Sequence, residues 1–354
     1  MRNEIPVRIL VLVFLVLSAL DFGCGGGAAV NSTPVEPPST AVSAGDRMQA
    51  PMLGFVYTAS ANVARAINGI PGAAILGSPL TVPEGIASLS FAPGQMYALA
   101  EQAEGAPLGL VAFSGAGPGA LLQIAGAIPK PDVISFSPHG AAAALYSASE
   151  GLVQVLTGLP GNPRLARQIT SGELPNAVRL LAIADDGVTL LAGTANNSVY
   201  LLSSDGAQLI DSVSDLGGMV FTPKSNDLVI FDRGAGTLSL VQGLNGAQSK
   251  RVLAQGLTGL GGNIFLETDG QLAVVTASSA SRLWEIDLES QAVQEVQLPT
   301  TAAMLEPLRL QGQYLLAWQP GEPAWILNTN QAKGTVYFVP AALEAAQAAR
   351  SGGL

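Results

Sequence analysis

One turn recurs along this chain at a spacing that few folds can accommodate. An apolar strand ends, and a short run of turn formers follows: Phe91-Ala-Pro-Gly94, Phe136-Ser-Pro-His-Gly140, Ile183-Ala-Asp-Asp-Gly187, Phe221-Thr-Pro-Lys-Ser225 and Leu266-Glu-Thr-Asp-Gly270, with a weaker copy at Leu310-Gln-Gly312. The leading residues 91, 136, 183, 221, 266 and 310 stand 45, 47, 38, 45 and 44 apart. Proline presets one backbone angle early in such a turn, and Gly, Asp or Asn accepts the left-handed conformation that closes a hairpin. The turn is punctuation, and the residues between two marks form one structural unit.

The unit is clearest over 263–298, which reads as four short strands at 263–266, 271–275, 283–287 and 292–296. Thr-Asp-Gly, a Ser-rich loop and Glu-Ser-Gln separate them. After each mark comes a nearly continuous apolar run, at 96–100, 141–146, 188–192, 228–231, 272–275 and 314–318. Runs without polar alternation suit strands covered on both faces. A third strand is expected at 110–113, 152–156, 199–202, 238–241, 283–287 and 324–327, and a more polar fourth at, for example, 164–169, 292–296 and 335–339. A period of about 40 to 45 residues with four strands per unit is that of a β-propeller blade. Segments 53–57, 62–67 and 73–80 supply the second, third and fourth strands of one further blade. The expectation is an all-β propeller of seven blades of about four antiparallel strands, with six or eight blades as alternatives. Closure is the open point. The first blade lacks an inner strand, which either 40–44 supplies or the blade does without. Ala-rich residues 341–354, entered through Pro340, are expected to form a short C-terminal helix and tail.

Composition narrows the functional classes. Hydrophobic residues make up 48% of the 354 and charged residues 12%, which supplies a large core. With 16 basic against 26 acidic residues the net charge is -10, which repels phosphate backbones and argues against nucleic-acid binding. Cys24 is the only cysteine, so no disulfide forms within the chain. His139 is the only histidine, so zinc sites and His-based acid–base pairs are disfavoured.

Residues 1–24 read as an export signal. Arg2 and Arg8 open it, and its apolar core at 9–20 is shorter than the roughly 20 residues of a spanning helix. Cys24 followed by three glycines resembles the end of a bacterial lipoprotein signal, in which the cysteine is lipidated. Asp21 and Phe22 depart from that family's pattern, and plain secretion after cleavage near the glycines is the alternative. Residues 25–50 are poor in large apolar side chains and rich in Pro, Ser, Thr and Ala, so they read as a flexible spacer before the propeller at 51–340. The chain is therefore expected in a bacterial cell envelope, lipid-anchored or periplasmic, or outside the cell. It would touch a membrane only through Cys24.

Phe136-Ser-Pro-His-Gly140 with its following apolar strand, and Leu283-Trp-Glu-Ile-Asp287 after Leu272-Ala-Val-Val275, resemble bacterial β-propellers of the YVTN and TolB type. As a repeat pattern the resemblance covers residues 52–340. It implies a fold and says little of function. The TolB likeness suggests a partner in the envelope, while other bacterial propellers are lactonases, lyases or quinone-dependent dehydrogenases. The Gly-His and Trp-Asp pairs of WD repeats are absent.

Propellers present ligands at one mouth of the central channel, on the loops joining second to third strands and one blade to the next. The candidate binding residues there are Glu101, Glu104, Asn196, Asn197, Asp232, Arg233 and Glu322, with Glu150, Ser278 and Ser279 on the same set of loops. Carboxylates converging from several blades offer oxygen ligands to calcium. Ordinary solvated loops are the competing account. No other cofactor is expected. Asp185-Asp-Gly187 lacks the later ligands of a calcium loop and His139 sits at the same place in its own repeat, so both read as turns. Trp284, Trp318 and Trp325 fall inside strand patterns and read as packing. No catalytic residue is expected. The function read from the sequence is an exported binding or interaction scaffold for an unidentified protein or envelope component, a monomer by default. The alternative is a propeller enzyme, a lactonase- or lyase-like hydrolase or a quinone-dependent dehydrogenase, with its site at the channel mouth.

Overall fold

The computed structural model describes residues 51–340 apart from 104, 171, 173, 205, 224, 259–262, 278–280, 300–304, 320–321 and 332. Cys24 and the export signal, the spacer at 25–50, the strand weighed at 40–44 and the helix expected at 341–354 lie outside the described residues. The chain forms a seven-bladed β-propeller, each blade an antiparallel sheet whose strands pair in chain order. Blade 1 has three strands, Met52–Thr58, Val63–Asn68 and Ile75–Thr81, and blades 2 to 7 have four each. The inner strands of blades 2 to 7 are Ile86–Phe91, Val133–Phe136, Val178–Ile183, Leu216–Phe221, Ile264–Leu266 and Glu306–Pro307.

The repeated turn has one geometry. In blades 2 to 7 the residue after the inner strand donates its N–H to the carbonyl five residues on: Ala92 to Tyr97, Ser137 to Ala142, Ala184 to Thr189, Thr222 to Asp227, Glu267 to Leu272 and Leu308 to Gln313. A residue at positive φ closes each turn, and at Gly140, Gly187, Gly270 and Gly312 it is the glycine that the motif supplies. His139 sits in such a turn. Its N–H donates to Asp185 Oδ1 (2.9 Å) and its Nδ1 lies 2.8 Å from Asp185 Oδ2, which ties the turns of blades 3 and 4 together. Asp186 accepts from the N–H groups of Val188 and Thr189, so the Asp-Asp-Gly segment is the turn its repeat position predicts.

The second strands explain the unbroken apolar runs. Ala142–Ser147 is buried at every position, because a strand inside a blade meets a neighbouring blade on each face. The outer strand Arg164–Thr170 alternates exposed and half-buried residues, as a rim facing water does. The buried side chains group into seven clusters, one at each junction between neighbouring blades. One of them joins Leu53, Val56 and Ile67 of blade 1 to Leu308, Leu315 and Ile326 of blade 7, and that contact closes the ring.

Blade 1 does without an inner strand by borrowing bonds from both neighbours. The strand Met52–Thr58 would leave an open edge where a fourth strand normally pairs. There the N–H of Phe55 donates to Oε1 of Gln95 (2.6 Å), and Nε2 of Gln95 donates back to the Phe55 carbonyl (3.2 Å). The Leu53 carbonyl accepts from the Arg309 N–H at 2.9 Å. Gln95 is 0% exposed and holds φ of 46°, at the turn position where blades 3, 4 and 6 have glycine. A buried glutamine in left-handed conformation persists only where something holds it there. Here both ends of its amide are spoken for, and the side chain stands in for the missing strand. Gly54 makes room for it, since a Cβ at that position would run into Gln95 Oε1.

Candidate functional site

The inner strands surround a cavity of about 400 Å³ on the propeller axis. Its walls come from blades 2, 3, 5, 6 and 7: Phe91, Ile134, Phe136, Val220 and Leu266 are among the apolar groups, and the turns that follow the inner strands add polar ones. That volume falls within the range of small-ligand pockets, about 300–1,000 Å³. In an antiparallel blade the turn after the first strand and the link from second to third strand lie at opposite ends. The cavity is therefore reached from the end away from the loops singled out in the sequence.

Three polar residues of those turns give the cavity its chemistry. Glu267 follows Ile264–Leu266, is 8% exposed, and accepts a hydrogen bond from Oγ1 of Thr329. Burial pushes its carboxyl above the usual range against the pull of the Thr329 bond, and the charge of Asp269 adds to the rise. Behind it stands Glu285, 6% exposed, whose Oε2 accepts from the Gly334 N–H at 3.0 Å while Oε1 has no partner. Its carboxyl is also raised, by burial first; the Gly334 bond opposes the rise and the charge of Glu267 adds to it. Glu306, on the inner strand of blade 7, is reached by solvent yet ringed by protein, and loss of bulk water raises its carboxyl too. Arg309 and Gln313 lie in the turn of blade 7. Gln313 is 4% exposed with Oε1 unpartnered, and Nη1 of Arg309 is buried without a partner.

The residues chosen from the sequence sit at the other end of the propeller, and most of their polar atoms are engaged. Asn197, at φ of 63°, donates from Nδ2 to the Ser214 carbonyl (3.1 Å) and accepts at Oδ1 from the Leu216 N–H (3.2 Å). Asp232 accepts from the N–H groups of Ser214, Asp215 and Ala235 and from Oγ of Ser214. Arg233 grips Asp215 through Nε (2.6 Å) and Nη2 (2.7 Å). The structure thus brings Asn197, Asp232 and Arg233 to the crossover between blades 4 and 5, where they tie backbone down. Asn62 does the same from blade 1, donating to the Pro83 carbonyl at 3.2 Å. Asn196 accepts from Thr194 within its own loop. Glu101 is half-buried in the second strand of blade 2, opposite Ser88, and Glu322 is exposed in blade 7. Glu104, Ser278 and Ser279 lie outside the described residues. Among the described residues no three His, Cys, Asp or Glu side chains come together as metal ligands.

Sequence reasoning passed over Glu267, Arg309 and Gln313. One signal was available for the first. The repeat position after the inner strand holds Ala92, Ser137, Ala184 and Thr222 in blades 2 to 5, so a glutamate in blade 6 departs from their small-residue pattern.

No family model and no curated relative matches the sequence. Solved structures match the fold. A functionally unknown protein of Desulfotomaculum acetoxidans superposes with TM-score 0.53 at 12% identity, over 82% of this chain and 100% of its own. A provisionally assigned 6-phosphogluconolactonase of Bacteroides fragilis gives 0.54 at 16%, over 86% of this chain and 97% of its own. A second such protein, of Bacteroides uniformis, gives 0.55 at 14%, over 83% and 97%. At these identities the likeness shows the propeller fold alone.

Proposed function

We propose that this chain is an exported binding protein, tethered to the envelope through Cys24, that holds a small molecule in the propeller channel at the end formed by the turns after the inner strands. The observation that carries the reading is the cavity itself. Five blades surround an apolar space of ligand size, with a few convergent polar groups on one side, as in most small-molecule sites. The lone histidine supports binding over catalysis, because its ring is committed to Asp185. Lactone hydrolysis in the same cavity is a second reading. What favours it is Glu267, a recessed carboxyl on the cavity wall that burial raises above its ordinary range and that is placed to give or take a proton. The test is a thermal-shift screen of small molecules on the full chain, run beside an assay of 6-phosphogluconolactone hydrolysis. Ligands that raise the melting temperature without being turned over support binding. Hydrolysis above the buffer rate that disappears in Glu267→Gln replaces it with the enzyme reading. The tether is checked separately: labelled palmitate should enter the native chain and fail to enter Cys24→Ser.

A further inference from the structure

Arg309 differs from every other half-buried arginine that the structure describes. Arg65 donates to the Gly77 carbonyl, Arg167 to the Leu202 carbonyl, Arg282 to Thr258 and Arg233 to Asp215. The Arg309 guanidinium makes no hydrogen bond or ion pair among the described residues, and its Nη1 is buried. Four residues on, the side-chain amide of Gln313 is also unspent, with Oε1 buried and unpartnered. Both residues lie in one turn, and both line the cavity whose remaining walls are largely apolar. A buried guanidinium nitrogen and a buried amide oxygen without partners are costly to the fold, and a ligand that bonds both offsets that cost. The other charge at the cavity, Glu267, is already engaged by Thr329. The open capacity is therefore that of a cation and an acceptor. A guanidinium presents paired donors in the geometry a carboxylate accepts.

We propose that the channel binds an amphipathic carboxylate, its apolar body along Phe91, Ile134, Phe136 and Leu266 and its carboxylate against Arg309. The inference rests on the channel being a binding site and adds the chemical class of what enters it. A molecule bearing a hydroxyl or amide N–H beside the carboxylate would also satisfy Gln313 Oε1.

Calorimetric titration of the full chain with decanoate, decanol and decyltrimethylammonium tests this. The three share an apolar tail and differ in head group. Decanoate should bind at least tenfold more tightly than decanol, and Arg309→Gln should erase that preference. The substitution keeps the backbone N–H that Arg309 gives to Leu53, so ring closure is preserved. If Arg309→Gln does not fold, the native protein still decides, because methyl decanoate, which keeps the tail and the carbonyl but not the charge, must then bind no more tightly than decanol. Decanol binding as tightly as decanoate sinks the carboxylate and leaves the channel reading standing. Tighter binding of the ammonium makes Glu267 the governing charge and overturns the proposal. No binding by any of the three overturns it as well, and the thermal-shift screen then judges the channel reading on its own.

Discussion

Replacing Gln95 tests the account of how the ring closes, and the two informative substitutions differ in a way that intuition about size gets backwards. Phe55 is fully buried, and its N–H and carbonyl both bond to the Gln95 amide. Gln95→Ala strands both groups. Each buried, unsatisfied backbone group costs about 1–3 kcal/mol, so the two together cost about 2–6 kcal/mol. Alanine also keeps the burden of φ near 46°, a left-handed conformation worth about 1 kcal/mol to any residue with a Cβ. Gln95→Gly strands the same groups but sheds that strain. The glycine variant, which removes more atoms, should therefore be the more stable of the two by about 1 kcal/mol. Gly54→Ala supplies an independent check, since its Cβ must expel the Gln95 amide from the same place. Its cost should add only in part to that of Gln95→Gly, because the two share the lost amide contact while the new Cβ also presses on Leu308. Urea unfolding of the full chain gives the global change. Amide exchange over Met52–Thr58 gives the local one, which is the safer readout if blades open separately. Loss of less than about 1 kcal/mol in Gln95→Ala, with Phe55 exchange unchanged, would refute the idea that a side chain replaces a strand.

Two further outcomes follow from charged groups in opposite situations. A carboxyl raised in the folded state, as burial raises Glu285, binds its proton more tightly folded than unfolded. Stability is then greatest below the ordinary value of 4.5 and falls as pH rises through the higher folded value, so Glu285→Gln should out-melt the parent at pH 8 and lose that advantage at pH 4. At Asp232 burial works to raise the carboxyl, but hydrogen bonds from Ser214, Ala235 and Asp215 outweigh it and hold it below its ordinary 3.8. Asp232→Ala should cost about 1–2 kcal/mol at pH 7 in urea unfolding, with the difference narrowing as pH falls from the ordinary 3.8 through the folded value.

The architecture was legible because it repeats. Each blade states the same pattern of turn, apolar strand and polar rim, and the strand Arg282–Asp287 falls where Leu283-Trp-Glu-Ile-Asp287 predicts it. Single departures were harder to weigh. Gln95 follows a Pro-Gly pair that already looks like a complete turn, and nothing local says that its amide reaches a strand 40 residues back. The candidate site was harder still. A cavity walled by five blades depends on which ends of the inner strands meet on the axis, and periodicity does not carry that information. Asn197 and Asp232 drew notice as polar loop residues, and that polarity proves to serve neighbouring backbone.

Arg309 joins two matters that are usually separate. Its N–H closes the edge of blade 1, and the same residue lines the cavity. Seen along the direction of synthesis, the first blade to leave the ribosome stays unfinished until nearly the last blade has been made. Leu53 must wait for residue 309, a separation of more than 250 residues, and the loop it closes is among the longest the chain offers. Sealing the ring at Leu53 and completing the cavity wall both wait for the same residue. A chain that stops before the seventh blade would leave the edge of blade 1 unpaired at Leu53 and the cavity without its wall at Arg309 and Gln313.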